Sequence, residues 1–223
     1  MFFKYLSRNT LVLVLATVIS IEALILFNYA LKDRINNAAD NALRQTIAGL
    51  GQAFPASNYD NDVSKDCYVP VAGAFQSNDP QVDTLMLATK NQQITGYILI
   101  SSTWKGYSGL IRTMLVTDAQ GTIKAVRILE QNETPGLGNK VITTPWVHSF
   151  DNLPLDQATL ANLAVKKDGG TIDQFTGATI TPRAIVNQIR ANMEEVITQL
   201  VANPQEILAS KFVSCQVATG EKN

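Results

Sequence analysis

The chain has 223 residues, room for one ordinary globular domain with accessories or for two small ones. Its 18 basic and 19 acidic residues give a net charge of −1, and no lysine- and arginine-rich run with interleaved aromatics occurs, which argues against a nucleic-acid partner. One histidine, His148, and two distant cysteines, Cys67 and Cys215, cannot supply an ordinary zinc site, and nothing in the sequence orients His148 for a nucleophilic triad.

Residues 10–31, "TLVLVLATVISIEALILFNYAL", supply the run of about 20 apolar residues that crosses a bilayer core. No small-residue cleavage site follows, so a retained single-pass anchor is expected rather than a cleaved signal peptide. Lys4 and Arg8 favour a cytoplasmic segment at residues 1–9, although Lys32 and Arg34 nearly balance the count at the other end. Glu22 is the one charge within the run; a carboxyl in lipid either faces a protein partner or sits there neutral. Residues 32–83 read as a membrane-proximal helix ending near Gly49 and Gly51, then the polar loop "PASNYDNDVSKD" as a boundary.

From residue 84 the texture becomes that of strands. "TLMLATK" and "GYILISST" flank the turn "NQQ", and "GLIRTMLVTDAQGTIKAVRILEQ" reads as two strands joined at "DAQG". "NLAVKK" and "GGTIDQF" suggest a further pair. Connections this short imply antiparallel pairing. Beyond Thr181, apolar residues at Ile185, Ile189, Met193, Val196 and Leu200 line one helix face, and a shorter helix should begin at Asn203 with Pro204 in its first position. The expectation is an α+β fold: a domain at 84–202 with helices packed on an antiparallel sheet, and a C-terminal helix and tail at 203–223.

Two stretches carry the candidate chemistry. "DQFTGATITPR", residues 173–183, packs Thr176, Thr179 and Thr181 around Gly177 and Ala178. Thr181 before Pro182 reads as a helix N-cap. A helix N-terminus beside small residues is a favourable anion seat near Thr179, and a plain polar turn is the alternative these residues leave open. "NETPGLGNK", residues 132–140, brings Gly136 and Gly138 either side of Leu137, so that main chain can lie against a planar ligand, with Glu133 and Thr134 as polar contacts. It fits neither a Walker loop nor the dinucleotide fingerprint.

Together with "KKDGGTIDQFTGATITPRAIV", "GYSG" at 106–109, "YDND" at 59–62 and the N-terminal anchor, that string resembles an FMN-binding domain family. The family includes the G subunit of the Rnf (Rsx) electron-transport complex and the C subunit of the sodium-pumping NADH:quinone reductase; "TGATITP" is closer to the former. Three things differ: Gln131 stands where some relatives carry histidine, and Asp151 and Asn152 replace a usual Gly-Lys.

The resemblance implies FMN held covalently, by a phosphoester to a threonine. The pattern Asp, two residues, Ser or Thr, Gly, Ala, Thr falls on Asp173, Thr176, Gly177, Ala178 and Thr179, making Thr179 the acceptor and Thr181 the cap. In the family a separate flavin transferase moves FMN from FAD to the hydroxyl, releasing AMP, and the complex couples ferredoxin–NAD electron transfer to Na⁺ or H⁺ transport. The implied partners are the complex's membrane and iron–sulfur subunits, and the implied place is a bacterial inner membrane with the FMN domain on the periplasmic side. No residue is implied as catalytic by itself, and His148 reads as a surface or packing residue. On that side Cys67 and Cys215 could persist as a disulfide or remain two thiols. The rivals are a membrane-anchored flavin-binding sensory or regulatory module, and an assembly subunit whose flavin site is unused.

Overall fold

The computed structural model describes residues 8–75 and 79–218; Lys4, and with it most of the expected cytoplasmic segment, lies outside them. The chain divides into two compact units, Met1–Gly49 and Leu50–Asn223. In the first unit, helix α1 runs unbroken over Arg8–Ala48. Anchor and membrane-proximal helix are therefore one element, because no glycine or proline interrupts 8–48 and the first breaker is Gly49. Within it, Thr10–Lys32 is long and apolar enough to cross a membrane, and none of that stretch is buried.

The second unit is built on a six-stranded antiparallel sheet in the order β5-β4-β3-β2-β1-β6. The strands are β1 (Cys67–Pro70), β2 (Gln81–Lys90), β3 (Gln93–Thr103), β4 (Ile111–Asp118), β5 (Ile123–Gln131) and β6 (Phe212–Ser214). The two expected hairpins form where turn chemistry places them. Asn91 and Gln92 both take positive φ, as a tight two-residue hairpin requires. At the other, Asp118 Oδ1 accepts the amides of Gln120 and Thr122 while Gly121 sits at φ 83°.

Both faces of the sheet are buried, which is why β3 and β4 read as near-continuous apolar runs. On one face Leu85, Leu87, Tyr97, Leu99, Ile111 and Leu115 pack against the helices. On the other, Met86, Ile98, Ile100, Met114 and Val116 are likewise buried. Phe54 lies so close to Gly96 that a Cβ there would sit 2.8 Å from its ring. The "YDND" stretch is clamped to β2 and its turn: Asn61 accepts the Thr89 amide and donates to the Leu87 carbonyl, and Asp60 accepts the Asn91 amide.

Strands β1 and β6 were not expected from the sequence and lie outside 84–202, yet they complete the sheet. A disulfide joins Cys67 to Cys215 across 148 residues, with Cα atoms 5.5 Å apart. The strand pair expected over 162–175 does not form. Only a single bridge, Val165 to Ile172, is made there, and the intervening residues coil into a short 3-10 turn at Lys166–Asp168 that Gly169 ends at φ 88°. Gly170 packs so tightly on Ala164 that a Cβ would meet its carbonyl oxygen at 2.0 Å, a contact no extended hairpin makes.

Four helical pieces follow or frame this region: α2 (Lys140–Thr143), a 3-10 helix Pro145–Phe150, α3 (Gln157–Asn162) and then α4 (Ile180–Asn192). Helix α4 passes through a π turn, Met193–Ile197, into α5 (Thr198–Ala202). After it come α6 (Pro204–Lys211), with Asn203 before it and Pro204 first as expected, and α7 (Cys215–Ala218). A buried polar cluster sets where α4 lies on the sheet. Gln188 Nε2 donates to the carbonyl and hydroxyl of Ser101, and Asn192 Nδ2 donates to the same hydroxyl at 2.7 Å. Further along, Tyr97 Oη donates to the Leu200 carbonyl. With Leu200 at Tyr97 and Gln188 at Ser101, α4 runs antiparallel to β3, and its amino end points toward the carboxyl end of that strand.

Candidate functional site: a glycine-lined cleft at the start of helix α4

Three loops meet at that end: 104–110 after β3, 132–139 after β5, and 173–179 before α4. Their common point is Glu133, only 5% exposed. Its Oε1 accepts the Ser108 amide at 3.0 Å and its Oε2 accepts the Thr181 hydroxyl at 2.6 Å. A buried carboxyl needs such donors, so each bond also ties one loop to the next. The glycines follow from the crowding: a Cβ at Gly106 would come within 2.7 Å of Glu133 Oε1, and one at Gly138 within 2.5 Å of Thr181 Oγ1. Gln131 accepts the Glu133 amide through Oε1.

The loop before α4 is held from below by Trp146, whose Nε1 donates to the Asp173 carbonyl at 2.6 Å and whose ring packs on Phe175 and Phe150. Ala178 bonds back to the Phe175 carbonyl, and Gly177, at φ 79°, closes the turn. Its flank carries two exposed ion pairs, Lys166–Asp173 at 2.6 Å and the paired Arg183–Asp168 contact at 2.5 and 2.7 Å. The hydrogen bonds from Arg183 hold the Asp168 carboxyl below its ordinary range, and Asp168 in turn raises Arg183.

Between the loops lies a cleft of about 300 Å³. Of the residues singled out in the sequence, Glu133, Thr134, Leu137, Gly138, Gly177, Ala178 and Thr179 line it. Asp173, Thr176 and Gly136 do not; Asp173 is engaged at the flank by Lys166, and the Gly136 amide donates to Asn139 Oδ1. Tyr107, Ile180 and Thr181 complete the lining. Tyr107 is 69% exposed, and no feature of "GYSG" foretells that its ring stands at a cleft mouth.

The threonines divide differently from the sequence expectation. Helix α4 begins at Ile180, with Thr179 in the capping position and no side-chain cap. Thr181 is therefore not the cap: it lies in the first turn, and its hydroxyl is drawn to the Glu133 carboxyl, a stronger interaction than a backbone amide offers. Pro182 still sits in that first turn, where its missing N–H costs no helical bond. The Thr179 hydroxyl has no hydrogen-bond partner among the described residues, and Thr179 lines the cleft next to Ile180 and Thr181, whose amides open the helix. His148 is exposed and hydrogen-bonded to Asp151, a surface role.

A profile of the FMN-binding domain family matches residues 106–194, a stretch that takes in all three cleft loops but for the first two residues of the loop after β3. The G subunit of the ion-translocating oxidoreductase complex of Pasteurella multocida (strain Pm70) is 38% identical over 88% of this chain and 94% of its own length. The chain belongs to this family of G subunits. Its counterpart in the same complex of Photorhabdus laumondii is 42% identical over 68% of this chain and 73% of that one. Among solved structures, the crystal structure of Shewanella oneidensis NqrC aligns over 66% of this chain and 74% of that one, at 19% identity and a TM-score of 0.43. In this member of the family the starts of β1 and of α7 are tied by the disulfide. Asn152 adopts φ 63° while its amide donates to the Ile123 carbonyl at the start of β5. Asparagine is among the few side chains that tolerate that conformation.

Proposed function

We propose that the cleft holds FMN joined through its phosphate to Thr179, and that the chain is an electron-carrying subunit of a membrane-bound ion-translocating oxidoreductase complex. The observation that carries this reading is that Thr179 lines the cleft with its hydroxyl uncommitted, while Thr181 is bonded to Glu133, Asp173 is paired with Lys166, and Thr176 lies outside the lining. When bound, FMN supplies electron transfer that the side chains of this chain cannot perform.

The residues present suit such a group. The first-turn amides of α4 and the helix dipole favour the charge left on a phosphodiester. Gly177, which lines the cleft at positive φ with open space where a Cβ would be, leaves main chain free for close approach. Leu137 and Tyr107, 43% and 69% exposed, offer apolar surface that a flavin ring would cover. At about 300 Å³ the cleft is at the lower end of ligand pockets, so part of the group stays open to a redox partner. Asp173 and Thr176, exposed outside the lining, are read as contacts for a flavin transferase during maturation rather than for the bound flavin.

Helix α1 is read as a single-pass anchor in a bacterial inner membrane, with the cleft on the periplasmic side; the Cys67–Cys215 disulfide supports a compartment where such bonds persist. The complex's other membrane and iron–sulfur subunits are its partners, and its electrons pass between ferredoxin and NAD with Na⁺ or H⁺ moved in step.

The test is co-expression of the chain with a flavin transferase, followed by a denaturing gel viewed for flavin fluorescence. The wild-type band should fluoresce and Thr179→Ala should be dark. A dark wild type, or a fluorescent Thr179→Ala, contradicts the reading.

A further inference from the structure

Glu22 lies near the middle of the stretch Thr10–Lys32 and is exposed, with no partner among the described residues. Thr10 lies 12 residues before Glu22 and Lys32 lies 10 residues after it, so the ends of the stretch are about 18 and about 15 Å away at about 1.5 Å per residue. A glutamate side chain cannot reach water over that distance. Nor can its own helix satisfy it. The residues three and four positions away, Val18, Ile19, Ile25 and Leu26, are apolar. The nearby hydroxyls are spoken for: Thr17 donates to the Val14 carbonyl and Ser20 to the Ala16 carbonyl, each at 2.8 Å.

We infer that Glu22 marks a docking face on α1 for a transmembrane helix of a different subunit, one that presents a lysine or arginine at mid-membrane depth. The inference rests on reading α1 as the membrane anchor of a complex subunit; it does not use the flavin. Charge decides the occupant. A carboxylate and a basic side chain are each costly alone in lipid, and pairing relieves both. A second copy packed two-fold about this face would set Glu22 against Glu22, like charges at one depth.

The face extends along the heptad line Leu15, Glu22 and Tyr29, since seven residues bring a helix back to within about 20° of the same direction. Tyr29 is 80% exposed and close to the end of the stretch, where aromatic rings favour the headgroup level. Leu24 points about 200° away from Glu22 at about 100° per residue and serves as the opposite-face control.

The experiment uses the full chain, tagged at its C-terminus, in the native membrane with the other subunits of its complex. A photo-crosslinking residue replaces Leu15, Tyr29 or, as control, Leu24, and the products are identified by mass spectrometry. Leu15 and Tyr29 should cross-link to one other subunit, at a membrane segment containing a lysine or arginine, and Leu24 should not. In parallel, Glu22→Leu and Glu22→Gln should each lower recovery of that subunit in mild detergent, by roughly three- to tenfold for Glu22→Leu, while Leu24→Ala leaves it unchanged. Cross-links to a second copy, to lipid alone, or equally from Leu24 would overturn the inference. So would unchanged recovery with Glu22→Leu. Wild-type recovery with Glu22→Gln would overturn the basic partner, because a neutral amide cannot balance a cation. Flavin fluorescence of the same bands reports separately: a dark band with these cross-links intact sinks the flavin reading and leaves this one standing.

Discussion

At the scale of single residues, the site is organised by a carboxyl rather than by a cap. Glu133 gathers the Ser108 amide and the Thr181 hydroxyl, so Thr181 fixes the start of α4 against the loop after β5. Thr181→Val keeps the shape but leaves Glu133 Oε2 without its donor, a loss of about 1–3 kcal/mol that thermal or denaturant unfolding would read; Thr181→Ser should restore most of it. Equal stability of the two variants would mean that the hydroxyl contributes packing alone. A second residue-scale expectation concerns pH. Hydrogen bonds from Arg183 hold Asp168 below the ordinary carboxylate range. A folded pKa below the unfolded one stabilises above the unfolded value, and that stability is lost as pH falls through the folded value. Asp168→Asn should therefore lower the melting temperature at neutral pH, modestly because the pair is exposed, and the difference from wild type should vanish in acid. A difference that persisted in acid would assign the effect to packing.

At the scale of elements, legibility followed turn chemistry. "NQQ" and "DAQG" announce their hairpins because Asn, Asp and Gly have few other places to go. Strands β1 and β6 span only four and three residues, too short for any alternation, and each is defined only by pairing with the other and, for β1, with β2. The stretches "NLAVKK" and "GGTIDQF" look like a strand pair, but the chain turns at Gly169 and Gly170, the latter packed on Ala164. Adding a methyl at Gly170 would force a carbonyl oxygen away from 2.0 Å; Gly170→Ala should cost about 1–3 kcal/mol by the overpacking scale, measured by chemical denaturation. In the candidate site, Glu133, Thr134, Leu137 and Gly177–Thr179 were readable because small and hydroxyl residues are dense there. The exposed ring of Tyr107 and the engagement of Thr181 by Glu133 depend on loops far apart in sequence, 48 residues in the second case, which no local pattern encodes.

At the scale of the whole molecule, one long helix without glycine or proline precedes a sheet closed by a disulfide. The bridge links the start of β1 to the start of α7, so it restrains the edge strand β6 that lies between α6 and α7. Cys67→Ser with Cys215→Ser should lower stability by about 2–4 kcal/mol, and reductant should do the same to wild type and nothing to the variant. Unfolding that is insensitive to reductant would count against a structural bridge. Above all, the proposed electron carrier depends on the chemical state of one hydroxyl. Peptide mass spectrometry of the protein matured with its flavin transferase tests that state most directly. The peptide containing Thr176, Thr179 and Thr181 should carry the mass of FMN less one water, with fragmentation assigning it to Thr179. Flavin found on Thr176 or Thr181, or an unmodified peptide from a protein that still carries electrons, would contradict it.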